Sequence, residues 1–218
     1  MPIDAHRDSR TFWRRTASVV ATTGLAVAPA GCGLLSGGES NLTFDARTTS
    51  SVLQPAYTSA VYRSIDENTL DVYLTDLPMD RLIDAAEGRL SEPLPPGNIT
   101  RVHLFLNPRA GYTPIDYTAA NASITHIVVS GEVYGVYTGA GFVLPSTTPG
   151  DSTFSGKTNG ANLRLSATTP GFEDRLGPSE LTGRINAVRD DAKAETIGGL
   201  VSAMARWAGA GVGAEADR

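Results

Sequence analysis

The histidines are the first side chains to weigh for chemistry, because the chain has three of them. His6 lies in the amino-terminal segment, while His103 and His126 fall inside alternating apolar stretches, Val102-His103-Leu104 and Thr125-His126-Ile127. Two histidines on neighbouring strands could ligate zinc together with a carboxylate. No H-x-H, H-E-x-x-H or cysteine partner fixes such a geometry, so the expectation is two strand histidines satisfied by hydrogen bonds or solvent, and no metal. Asp71, Asp76, Asp80 and Asp84 form an acidic series running from a strand end into a helix. Asp80 and Asp84 stand one helical turn apart, a spacing that could serve calcium or acid–base chemistry. The simpler reading is a set of solvated carboxylates around a helix amino terminus, where the dipole favours negative charge.

Nucleophiles and phosphate cradles fare worse. Ser130 in Val129-Ser130-Gly131 lacks the leading glycine of a G-x-S-x-G elbow. Gly139-Ala140-Gly141 precedes an apolar segment, not the helix whose amino terminus would hold an anion. The stretch from Asn107 to Ala120 (NPRAGYTPIDYTAA) is loop-like and aromatic. Exposed tyrosines on a loop above a β-scaffold contact sugars or proteins in many binding modules, so Tyr112, Tyr117 and Arg109 are the candidate binding residues. The alternative is that these rings pack over a sheet edge. No catalytic residue and no cofactor is implied.

Cys32 is the only cysteine. A lone thiol forms no internal disulfide, and its position suggests a different use. Residues 1–15 carry Arg7, Arg10, Arg14 and Arg15 against Asp4 and Asp8, and no charged side chain occurs from Thr16 to Gly38. This is a basic n-region followed by a short, weakly apolar h-region at Ala17–Ala28. Pro29, Gly31, Gly33 and Gly37-Gly38 interrupt the run before it reaches the length of about 20 residues that a permanent membrane span needs. With Ala30-Gly31-Cys32 at its end, the segment resembles a bacterial lipoprotein signal peptide, with Pro29 where a leucine usually stands. The resemblance implies cleavage before Cys32, diacylation of its sulfur and a palmitate-type anchor. An ordinary secretory signal cut after Ala30 and an uncleaved anchor are the alternatives, and Trp13-Arg14-Arg15 leaves the twin-arginine route open beside the general one. Gly33 lacks the aspartate associated with inner-membrane retention, so the outer membrane or cell surface is the expected address. With Cys32 acylated, a Cys-His enzyme is excluded.

Cleavage takes four arginines and two aspartates from the 18 basic and 23 acidic residues and leaves a net charge of −7. No Lys/Arg cluster remains, which argues against nucleic acid and against peripheral binding to anionic lipid. The acyl group is then the membrane link. One chain contributes only about 0.8 kcal/mol per buried methylene, so stable anchoring takes the two that a diacylglyceryl group supplies.

The expected organisation is a signal peptide at 1–31, a lipid-anchored flexible tether at 32–41 (Gly/Ser-rich), a domain at 42–207 and a disordered tail at 208–218. Leu70, Val72 and Leu74 alternate with Asp71, Tyr73 and Thr75, the pattern of a half-buried strand. Similar alternations recur through 102–106, 124–129, 133–137, 142–144, 163–167 and 181–188. Thr138-Gly139-Ala140-Gly141 and Asn159-Gly160 read as tight reversals between them. Met79–Glu87, with Leu82, Ile83 and Ala86 on one face, reads as a short crossover helix. A closing helix at 192–207 carries a stripe of Ile197, Leu200, Val201, Met204 and Trp207, capped by Asp190 or Asp191. Together these predict a mainly β fold, a single antiparallel β-sandwich with a short crossover helix and a carboxy-terminal amphipathic helix. The function expected is that of a lipid-anchored, extracytoplasmic envelope protein doing non-enzymatic binding or structural work, with a protein or glycan partner. Its rivals are an extracytoplasmic hydrolase with unrecognised catalytic carboxylates and a carbohydrate- or solute-binding module.

Overall fold

The structure, a computed structural model, describes residues 39–105 and 120–215. The signal peptide, Cys32 and the loop residues Arg109, Tyr112 and Tyr117 lie outside the described residues.

Among the described residues ten strands and two helices follow in order: β1 (Asn41–Ala46), β2 (Val52–Leu53), β3 (Ser59–Ser64), β4 (Leu70–Thr75), α1 (Met79–Ala86), β5 (Gly97–Leu104), β6 (Ala122–Ser130), β7 (Val133–Gly141), β8 (Val143–Pro145), β9 (Thr153–Thr168), β10 (Ser179–Arg189) and α2 (Asp191–Glu215). They form one ten-stranded mixed sheet, where the sequence suggested two antiparallel sheets packed face to face. Two pairings account for the difference. β10 runs parallel to β3 at Val188↔Val61 and Arg189↔Tyr62, and its other edge is antiparallel to β9 from Ser179 to Val188. The ladder β3-β4-β5-β6-β7-β9-β10 therefore returns to β3 and closes. β1 occupies the remaining length of the β10 edge, Asn41↔Arg184 to Ala46↔Ser179.

Closure gives the sheet an inside and an outside, and strand alternation sorts the side chains between them. The inner cluster draws on every strand of the ring: Phe44, Tyr62, Val72, Leu74, Val102, Ile124, Tyr137, Phe154, Leu163, Leu181 and Ile185 are all buried within it. A second cluster joins the outer faces of β3–β7 to the helices through Val61, Tyr73, Ile99, Ile127 and Val136. This outer layer explains why β4 is buried along its whole length. The expected half-buried strand has both faces covered, one by the lumen and the other, at Tyr73, by α2.

Helix α2 begins at Asp190, whose Oδ1 accepts the Lys193 backbone N–H at 3.0 Å, an N-cap contact that satisfies an otherwise orphaned donor. Ala194, Ile197, Val201, Met204 and Ala208 recur every three or four residues and are buried. Trp207, expected in this stripe, points away and is 69% exposed, its place taken by Ala208. The helix continues to Glu215, beyond the end expected at Trp207. Gly198 sits directly over the Tyr73 ring, so that a Cβ there would collide with the phenol oxygen. α1 joins two antiparallel neighbours, β4 and β5, so it spans a hairpin connection and is not a crossover. Of its expected apolar face Leu82 alone is buried.

The two expected reversals both lie inside strands. Thr138–Gly141 continues β7, paired with β6 and with β9. Asn159-Gly160 belongs to β9, where Leu181↔Ala161 is followed by Thr182↔Asn159 and Gly160 is left over. Its φ of +88° marks a bulge for which glycine suits the backbone. The reversal used between β6 and β7 is Gly131-Glu132, closed by Ser130↔Val133 with Gly131 at φ +69°. Among the described residues no helix is long and apolar enough to cross a membrane.

Candidate functional site

One end of the closed sheet is shaped by three elements: β2, the β6–β7 turn and the connection 169–178. The connection is pinned at both ends. Tyr134 donates its backbone N–H to Thr169 Oγ1 at 2.8 Å, and Thr169 returns its own N–H to the Tyr134 carbonyl at 3.0 Å. Farther along, Asp174 Oδ1 accepts the Tyr137 hydroxyl at 2.6 Å and the backbone N–H groups of Leu176 and Gly177 at 3.2 and 2.7 Å. Burial pushes the Tyr137 phenol up, and the bond to Asp174 adds to the shift, so the hydroxyl stays protonated as a donor. Leu176 is driven into the inner core, and Phe172 lies against Gly135.

Between this connection and β2 lies a cleft of about 530 Å³. Its walls are Val52, Leu53, Val128, Val133, Phe172, Leu176 and the Tyr137 ring, with Ser51, Ser130, Glu173 and Arg175 as the polar groups. Glu173 and Arg175 pair with each other at 2.9 Å on the exposed rim. The volume falls within the range of about 300 to 1,000 Å³ usual for small-ligand pockets, and the surface it offers is shared almost evenly between apolar and polar groups.

A second cleft, of about 490 Å³, opens beside the short β3–β10 pairing and is lined by Tyr57, Met79, Phe154, Asn186 and Lys193. From it a polar chain leads inward. The Tyr57 hydroxyl lies 2.6 Å from Thr100 Oγ1, which lies 2.8 Å from His126 Nδ1. His126 is fully buried and stacks on Phe44 with ring centroids 4.0 Å apart. Burial drives its pKa down to about 3, so the imidazole is neutral and a poor proton acceptor. Its Nε2 has no hydrogen-bond partner among the described residues.

His103 faces the other way. Thr100 pairs with His126 across β5 and β6, whereas His103 pairs with Ser123, and the odd offset puts the two histidines on opposite faces of the sheet. A zinc site shared between them is thereby ruled out, and among the described residues no group of three or more His, Cys, Asp or Glu is placed to hold a metal. On the outer wall His103 Nδ1 lies 2.9 Å from Asp71 Oδ1, which also accepts Arg101 Nε and Nη2 at 3.0 and 2.8 Å. Asp71 Oδ2 takes Arg63 Nη2 at 3.2 Å. Burial raises the Asp71 carboxyl, but the Arg101 guanidinium, followed by His103, outweighs it and holds the group below the usual carboxylate range.

The acidic series is thus four separate structures. Asp71, expected to be solvated, is fully buried. Asp76 accepts the Asn98 backbone N–H and side-chain amide at 2.5 and 2.7 Å. Asp80 is exposed, and Asp84 pairs with Arg89 at 2.8 Å. Sequence reasoning missed Phe172 and Leu176, because they stand outside any period-two alternation, between Pro170-Gly171 and Gly177-Pro178. No protein-family model, no curated protein and no solved structure matches the chain.

Proposed function

We propose that this is an exported envelope protein, lipid-anchored through Cys32, whose closed β-domain binds a small amphipathic ligand at the open end between β2 and the 169–178 connection. The observation that carries the binding reading is the cleft itself: apolar walls on a scaffold held by the Asp174 and Thr169 contacts. Pre-formed walls reduce the ordering cost of binding. The one carboxylate on the lining, Glu173, is ion-paired to Arg175, an arrangement suited to orienting a ligand. Anchoring rests on the signal-like segment ending at Cys32, and it puts the domain on the outer membrane or cell surface.

Two experiments test this reading. The full chain titrated with 1-anilinonaphthalene-8-sulfonate gives a saturable rise in fluorescence that Val52→Asp abolishes, since Val52 is an exposed lip residue whose replacement spares the core. An unsaturable response, or one that Val52→Asp leaves unchanged, overturns the site. Metabolic labelling with palmitate marks the wild type and not Cys32→Ser, and label retained by the substituted protein overturns the anchor.

A further inference from the structure

Barrel packing does not account for the cation cluster on the outer wall. Register brings it together: Arg63, Asp71 and His103 are direct partners across β3, β4 and β5, and Arg101 stands two residues before His103 on β5. One carboxylate neutralises one guanidinium, yet Asp71 holds two guanidiniums and an imidazole. The cluster therefore keeps an excess positive charge in a chain whose net charge is −5. Two guanidiniums gathered around a single carboxylate repel each other, and their side chains are 29% and 28% exposed while that of Asp71 is 0% exposed. The excess is consequently presented to solvent.

The remaining donors are arranged to use it. Each guanidinium has five N–H groups in a planar fork, and Asp71 engages Nε and Nη2 of both arginines. Nη1 of each lies outside that pairing. The next strand adds hydroxyls on the same face, because Ser123 is the direct partner of His103 and Thr125 of Arg101. Ser123 is exposed and Thr125 half-buried. Along these two rows from β3 to β6, Asp71 is the only carboxylate, and its oxygens are already occupied.

We propose that this wall is an oxyanion-binding site, taking the phosphate or carboxylate group of a ligand between Arg63 and Arg101. Asp71 is a positioning residue that fans the cations outward. Fork-shaped guanidiniums match the oxygen spacing of both anions, and none of these residues lines the apolar cleft.

The test is an NMR titration of the ¹⁵N-labelled full chain with sodium phosphate and, separately, sodium succinate, each against sodium chloride at matched ionic strength. The expected result is a saturable shift of the Arg63 and Arg101 Nε–H and His103 ring signals with at least one oxyanion, the tighter of the two identifying which group the site takes. Arg63→Gln leaves Asp71 held by Arg101 and His103, and it weakens binding by about tenfold or more. Arg63→Lys, which keeps the charge, restores part of the loss. Shifts that match those of sodium chloride, that fail to saturate with either oxyanion, or that persist unchanged in Arg63→Gln overturn the proposal.

Discussion

His103 and His126 are the same residue on neighbouring antiparallel strands, and the closed sheet gives them opposite lives. His126 faces the lumen, stacked on Phe44 and bonded to Thr100, where complete burial keeps it neutral. His103 faces the wall, where it joins two arginines around a buried carboxylate. Strand parity decides between the two fates, and it does so for every neighbour as well. The inner face is mainly hydrocarbon, whereas the outer face is ionic around Asp71, lies under the helices at Val61, Tyr73 and Ile127, and is open to solvent on β1 and β10 at Asp45 and Arg184. Polar chemistry in this fold therefore belongs to the outer wall and the open ends.

The contrast breaks most sharply at Asp71. Asp71→Ala strips the shared partner from Arg63, Arg101 and His103, and it is expected to cost about 3 to 5 kcal/mol in urea unfolding. Next comes the outer apolar layer. Leu200→Ala, on the packed face of α2, should cost about 2 to 5 kcal/mol by cavity formation, and an unchanged unfolding midpoint would show that the helix is not docked. The inner histidine gives a pH effect. With its pKa at about 3 in the folded chain and about 6.5 when unfolded, the unfolded state binds the extra proton below pH 6.5. Stability then falls as pH drops from about 6.5 towards 3, by up to about 1.4 kcal/mol per unit. His126→Phe keeps the stack on Phe44 and should flatten that part of the acid profile; an unaltered slope would mean the imidazole is not sealed. Smallest is Trp207→Ala, expected within about 0.5 kcal/mol of wild type, with the native tryptophan at this position emitting as a solvated indole.

Local patterns in the sequence were informative, and distant pairings were not. Leu70-Val72-Leu74 and Val102-Leu104 announce their strands by period two, and Ile197, Leu200, Val201 and Met204 announce α2 by spacing. The same spacing misplaced Trp207, because Ala208 lies almost as well on that face and fits beneath the helix where an indole does not. Closure of the sheet left no local trace, since β10 meets β1, β3 and β9 through backbone groups that carry no residue code. Asn159-Gly160 has the composition of a turn, and only the partner strand shows that it is a bulge. The outer cluster was hidden for a related reason: Asp71 read as one of four acids along the chain, while its partners Arg63, Arg101 and His103 come from two other strands and meet it only in register. The apolar cleft depends on Phe172 and Leu176, which are brought to the lumen by the bonds that Asp174 makes.

β10 serves three strands at once, and its partners span the described chain from Asn41 onward, with Asn41 and Arg184 143 residues apart. A nascent polypeptide lacking β10 has unpaired edges on β1, β3 and β9, the kind of edges that recruit other chains. The ring can close only after residue 189 has emerged, so folding of this domain is a late event dominated by long-range pairing and is expected to be slow.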